Sequence, residues 1–418
     1  MVSLETEGME IGSKNTPYIA ILGDSINGWN GGIEFIRFCV SALNSVMNDR
    51  PQQILLSAQS NPNDPVARIK RGVKWLTGIR YVPVHETPRA RLVDALDDAG
   101  GQIEITEYRA SHDGLADALR RCRADVLFPC PESLGTSFPH GWIGYIPDLQ
   151  HKRLAHWFRE EDCKRRDEKF ARLLDDAPVV VVNAAAVVED IQEFYPNHNA
   201  KVLSLPYCPP AIQTALSDAQ RFEIRKLYNL PEPYFIISNQ FWIHKSHKTA
   251  FQALQHMRNA GYDVSLICTG STSDYRWPNY FNSLKAFIQE SNLRENIRIL
   301  GQIPKRDQLA IMSESIAVIQ PTLFEGGPGG GAVYDAVSLN KPCIVSDIPV
   351  NREIDIGVVR FFAAGSGEDL AAKMIDVFIN RPEMPRNEEV LARLRRRQTE
   401  FAAILLEAAG LAAKKAFA

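Results

Sequence analysis

The chain has 418 residues, 45% of them hydrophobic and 23% charged, with 47 Lys and Arg against 50 Asp and Glu for a formal net charge of −3. That length suggests two domains of about 200 residues each, and that balance is the one of a globular protein in water. The near-neutral charge supplies no field to gather nucleic acid, so no nucleic-acid partner is expected.

The first residues, MVSLETEGMEIGSKN, are acidic and polar and contain no apolar core of a signal peptide. Nowhere does an apolar run reach the roughly 18 residues of a membrane span. Strands are predicted at 18–23, 52–58, 101–108, 125–129, 142–148, 178–184 and 201–206, then at 234–239, 264–270, 297–303, 316–321 and 342–347. Between them lie segments with apolar residues at helical spacing. In HKTAFQALQHM, for example, Ala250, Phe251, Leu254 and Met257 share one face, with Ser246 as N-cap. Strands alternating with helices imply parallel βαβ units, here enough for two doubly wound α/β sheets. The prolines of YCPPAIQ (207–213) mark the boundary, giving an N-terminal domain over 1–210 and a second over 211–390, with a helical segment at 391–418. Cys39, Cys122, Cys130, Cys163, Cys208, Cys268 and Cys343 are scattered, odd in number and form no C-x-x-C pair. Such usage fits a reducing compartment and argues against a disulfide framework or a zinc ribbon. A cytoplasmic protein is expected, attached at most to a membrane surface.

Ligands of open α/β sheets bind beyond the carboxyl ends of the strands, and four loops there carry chemistry. GDSINGWNGGIEF (23–35) follows a strand and places Gly31 and Gly32 before an amphipathic helix. IPDLQH holds Asp148 and His151, which also fit a capping aspartate beside a surface histidine. SNQFWIHKSHK (238–248) brings Lys245 and Lys248 beside His244 and His247, cations suited to a diphosphate leaving group. The two histidines have no third ligand nearby and no H-E-x-x-H pattern, so no metal is expected. PTLFEGGPGGGAVYDAVSL places five glycines between Glu325 and a helix. Free amides at a helix N-terminus favour an anion or an oxygen-rich ligand, whereas a flexible surface turn is the plainer explanation. Both halves contribute such loops, which puts the ligand in the cleft between the domains.

PTLFEGGPGGGAVYDAVSLNKPCIVSDIPVNREI resembles the donor-binding signature of family 4 glycosyltransferases, retaining enzymes of the GT-B fold with two Rossmann-like domains facing a central cleft. The resemblance extends in order through GGIEFIRFCVSAL, YIPDLQHKRLAHWF, FWIHKSHKTAFQAL and GQIPKRDQLAIMSES, nearly the whole chain. It implies transfer of a sugar from a nucleoside diphosphate donor to a saccharide or lipid-linked saccharide acceptor, with no cofactor and no metal. By that resemblance Glu325 contacts the transferred sugar, Lys245 the diphosphate, and His151 lies near the donor sugar and the reacting centre. Gly31 and Gly32 flank the phosphate, Gly270 and Ile303 frame the base, and Gly329, Gly330, Gly331 and Tyr334 line the donor site. Asp335 matches the acid that binds the ribose, but nine residues separate it from Glu325 where seven are usual, and it is shorter than the usual glutamate. Gln240 stands where an arginine is usual, so Lys245 must hold the pyrophosphate with help from His244, His247 or the glycine amides. A nucleotide-sugar 2-epimerase, which needs added carboxylate acid/base groups, and a non-catalytic nucleotide-sugar-binding protein fit the same pattern. The segments 66–75, 157–166 and 391–398 mix basic and apolar residues. They read as solvated helix faces or as peripheral contacts with an anionic membrane, which would place the protein at the inner face of the cytoplasmic membrane.

Overall fold

The structure, a computed structural model, describes residues 16–25, 30–47, 51–58, 92–93, 96, 101–206 and 217–416. The N-terminal 15 residues, the basic segment 66–75, Cys208 and the boundary expected at 207–213 lie outside them.

Two parallel sheets organise the chain. The first comprises β1 (Ile19–Leu22), β2 (Gln52–Ser57), β3 (Ile103–Tyr108), β4 (Val126–Cys130), β5 (Gly141–Tyr145), β6 (Val179–Val182) and β7 (Lys201–Ser204), in the order β3-β2-β1-β4-β5-β6-β7. The second comprises β8 (Tyr234–Ser238), β9 (Ser265–Thr269), β10 (Ile297–Gly301), β11 (Val318–Gln320), β12 (Cys343–Asp347) and β13 (Val359–Ala363), in the order β10-β9-β8-β11-β12-β13. Every residue of β4, β5, β6 and β9 is buried, because helices cover both faces of each sheet. Parallel strands of that kind read as continuous apolar runs, which is why twelve of the thirteen described strands coincide with runs read from the sequence. The exception is β13, an edge strand whose sequence VRFFA carries a charge at its second position and buries only one side chain fully.

Strand order reverses between β1 and β4 in the first sheet and between β8 and β11 in the second. Loops leaving such neighbours in opposite directions open a crevice at the carboxyl ends of the strands. All four loops singled out in the sequence leave carboxyl ends at or beside these points.

The helix Asn387–Ala416 leaves the second sheet and lies on the first. Its Phe401 is fully buried, with ring centroids 4.4 Å from Phe38 and 6.4 Å from Phe35. A Cβ at Gly141 would come within 3.0 Å of the Ala412 backbone, so glycine permits the close approach of helix and strand. Gln398 donates to the Ser41 hydroxyl at 2.7 Å, and Lys201 pairs with Glu407 at 2.9 Å. A second tie runs the other way. The helix Ala185–Phe194 begins after Ala184, which has no capping side chain, and its Ala185 and Ala186 amides donate to the Glu353 carboxylate at 2.9 and 2.8 Å. An acid at a helix N-terminus satisfies orphan amides and the dipole at once, here from the opposite domain.

Truncating Phe401 to alanine should therefore cost about 3–5 kcal/mol, the range for a fully buried aromatic. Urea titration of the variant should show the midpoint fall accordingly. An unchanged midpoint would mean that the terminal helix does not share in the cooperative fold.

Candidate functional site

Between the two sheets lies a cavity of about 460 Å³. Gly31, Ile33 and Glu34 of the helix Asn30–Val46 form one wall, and the ends of β8, β9 and β10, with Gln240, Gly270, Ile303 and Lys305, form the other. Gly270 has φ +125°, and a Cβ there would stand 2.1 Å from the Asn239 carbonyl oxygen. No other residue fits where the β8 and β9 loops pass each other.

The loop after β8 forms a 3-10 turn, Ile243–Lys245, and then the helix His247–Asn259. Ser246 occupies the N-cap position in a left-handed conformation, φ +48°, and its hydroxyl bonds to the Thr249 hydroxyl at 2.8 Å instead of a helix amide. The Leu323 amide donates to the His244 carbonyl at 2.7 Å, fastening this loop to the one after β11. His247 is fully buried and stacked on Phe241 at 4.0 Å, and burial pushes its pKa down to about 3. Burial, with Lys245 and Arg276 nearby, also holds His244 well below the usual imidazole range. Burial thus favours the neutral form of both rings, and His247 is sealed from solvent. Lys248 is exposed, 5.8 Å from the Phe287 ring.

Lys245 meets Glu325 at 2.5 Å, with side chains 13% and 10% exposed. The Gln320 amide also donates to Glu325, at 2.8 Å, and Asn239 donates in turn to Gln320. This chain of four side chains joins the loops after β8 and β11. Gln320 is fully buried at the end of an apolar strand. A polar residue there needs partners, a signal that the run IAVIQP already contained.

The glycines after Glu325 differ from one another. A Cβ at Gly326 would lie 2.3 Å from the Pro147 carbonyl oxygen, where the two domains touch. Gly329 and Gly330 have φ +62° and +60°, and the Gly329 amide donates to the buried Asn351 side chain at 2.9 Å. Gly331 is exposed, and a Cβ there would meet nothing within 4 Å. The loop is pinned in place, and its open side is at Gly331. In the helix Gly330–Ser338, Tyr334 is 1% exposed within the core, and Asp335 pairs with Lys305.

His151 is 1% exposed, which rules out a surface histidine. Its Nε2 lies 2.9 Å from Asp167 Oδ1, and its ring packs edge-on against Phe170 at 5.5 Å. Burial lowers its pKa while Asp167 opposes the shift. Asp148 accepts from the Gln150 amide at 3.0 Å, as a helix-start aspartate does. Arg276, which nothing in the sequence marked, crosses the cleft. It donates to Gln150 Oε1 at 3.0 Å, lies 3.5 Å from His244 Nδ1 and rests on Phe158 at 4.7 Å. Among the described residues, no group of three or more His, Cys, Asp or Glu side chains is placed to share a cation.

Two doubly wound domains with loops meeting across a cleft make up the GT-B fold. Residues 220–395 match the family glycosyl transferases group 1. The O-antigen chain mannosyltransferase RfbU of Salmonella typhimurium is 27% identical over 123 residues, 29% of this chain and 32% of that protein. Similar solved structures include HepE of Anabaena in complex with UDP and glucose, with a TM-score of 0.62, 13% identity and coverage of 94% of this chain and 98% of that one. A glycosyltransferase from Rickettsia africae has a TM-score of 0.59 and 14% identity, over 96% and 97% of the chains.

The burial of His247 gives a pH dependence. Its folded pKa, about 3, lies below the ordinary value of about 6.5, so the unfolded chain binds the extra proton first and stability falls as pH drops through that window. At pH 5 the loss from this group is about 2 kcal/mol relative to pH 7.5. His247→Leu should flatten the stability–pH curve by that amount between the two values in denaturant titrations. Parallel curves would place the titration elsewhere.

Proposed function

We propose that this chain is a retaining, metal-independent hexosyltransferase that moves a sugar from a nucleoside diphosphate donor to an acceptor hydroxyl. The carrying observation is the Lys245–Glu325 pair, two opposite charges about a tenth exposed at the loops beside the cleft. A donor would take one partner each: its diphosphate the ammonium, its sugar hydroxyls the carboxylate. The cavity lined by Gly270 and Ile303 has the size for the nucleotide. As the anomeric C–O bond breaks, negative charge collects on the departing diphosphate, and Lys245 with the amides near Gly331 stabilises it. The acceptor oxygen attacks from the same face and its proton passes to a diphosphate oxygen, so configuration is kept.

The likeness to a protein named for O-antigen mannosyl transfer supports work on polysaccharide or glycoconjugate, with a saccharide or lipid-linked saccharide as acceptor. We place the enzyme in the cytoplasm, at the inner face of the membrane where the acceptor is lipid-linked. No helix among the described residues is long and apolar enough to cross a membrane. In the 391–398 run Arg396 is exposed and pairs with Glu400 at 2.9 Å, which supports a solvated face there, while Arg397 is 16% exposed and pairs with Asp355 at 2.6 Å within the fold.

Lys245→Ala should lower kcat by about 100-fold or more, the usual effect of removing one group that stabilises developing charge, while donor affinity falls much less. Steady-state kinetics with EDTA present throughout tests this together with metal independence. A loss confined to donor KM, or activity that returns only with manganese, would count against the mechanism. Gly331→Ala should fold normally, since its Cβ enters open space, yet lose about tenfold or more in rate if the donor fills that space. Gly330→Ala, by contrast, should lose about 1–2 kcal/mol of stability from its left-handed backbone. Melting curves beside kinetics separate the two, and full activity in Gly331→Ala would move the donor away from this loop.

A further inference from the structure

The cavity between the domains has one cation among its described lining residues, and its partner lies behind the wall. Lys305 opens the helix Lys305–Glu314, lines the cavity and keeps 44% of its side chain exposed. The acid it pairs with, Asp335, is 11% exposed on the buried face of the helix Gly330–Ser338. Across the cavity stands Glu34, held by Arg37 at 2.7 Å on its own helix. Burial raises the Asp335 pKa and Glu34 adds to that, while Lys305 and Arg37 oppose it, so Asp335 relies on the Lys305 charge to stay ionised.

An aspartate is one methylene shorter than a glutamate, and here a lysine occupies the space in front of it. We propose that Lys305, anchored from behind by Asp335, is the side chain that meets the nucleotide and donates hydrogen bonds to its oxygen atoms. Asp335 is then a positioning residue that acts through the lysine. An ammonium has three N–H donors and Asp335 takes one, which leaves two for a ligand. The inference rests on the reading that this cavity takes the nucleotide half of a donor. It reverses the polarity of the contact, from a carboxylate accepting from the ligand to a cation donating to it.

The test is calorimetric titration of UDP, GDP, ADP and dTDP into the wild-type chain, Lys305→Met, Lys305→Arg and Asp335→Asn, with melting curves for each. Lys305→Met should bind the preferred diphosphate about tenfold more weakly or worse, as expected for losing a charge-assisted contact. Lys305→Arg should recover most of that affinity, and Asp335→Asn should lose less than Lys305→Met. If Asp335 itself touches the ligand, Lys305 competes with the ligand for that carboxylate. Lys305→Met would then bind as tightly as wild type or more tightly while Asp335→Asn loses binding, and the inference is overturned with the function intact. Should Lys305→Met fail to fold, Lys305→Arg and Asp335→Asn still decide: equal or greater loss in Asp335→Asn than in Lys305→Arg overturns it, and the reverse supports it only with Lys305→Arg near wild type. A wild-type chain that binds none of the four overturns both this inference and the proposed function.

Discussion

An ammonium and a carboxylate 2.5 Å apart, each about a tenth exposed, set the terms for the cleft. Charges removed from water cost several kcal/mol unless they are paired and their remaining lone pairs satisfied. That requirement explains Gln320, a fully buried amide that donates to Glu325 and accepts from Asn239. The same desolvation, with the Lys245 charge nearby, disfavours the protonated form of the neighbouring histidines. A ligand with negative charge at one end and hydroxyls at the other can replace each partner of the pair without leaving a bare ion.

The glycine run draws its form from the same site. Glycine in excess usually implies mobility, but here the Gly329 amide is fixed by a buried asparagine and Gly326 lies against the Pro147 carbonyl of the other domain. Two left-handed residues then turn the chain so that the helix Gly330–Ser338 starts beside Glu325. The conformational cost of glycine is met at Gly326 and Gly329 by sterics that exclude a Cβ, at Gly330 by a left-handed backbone, and at Gly331 by an unobstructed approach to the helix amides.

Much of this was legible in the sequence because of how parallel sheets bury their strands. Runs such as PVVVVNA and VSLICTG are apolar on both faces, so their ends fixed where the four loops begin. Lys245 and Glu325 are 80 residues apart in the chain, yet both were marked, because each follows a strand end and β8 and β11 are neighbours. What stayed hidden is partnership. HKSHK alone does not separate the exposed Lys248 from the sealed His247; only the apolar face that continues three, four and seven residues on, at Ala250, Phe251 and Leu254, places His247 inward. Nothing in YRWP shows that Arg276 would reach Gln150, because that contact depends on how two separately folded sheets face each other. Strand β13 escaped because its short run VRFFA carries an arginine at the second position and buries only Phe362 fully.

Those cross-domain contacts also give the cleft its shape. At Gly326 the two backbones are so close that a single Cβ would collide, while at Gly31, Gly270 and Lys305 a cavity of about 460 Å³ stands open. Glu353 capping a helix of the other domain and the terminal helix lying on the first sheet fasten the domains on sides away from that opening. A cleft closed at one end and wide at the other selects by size along its length.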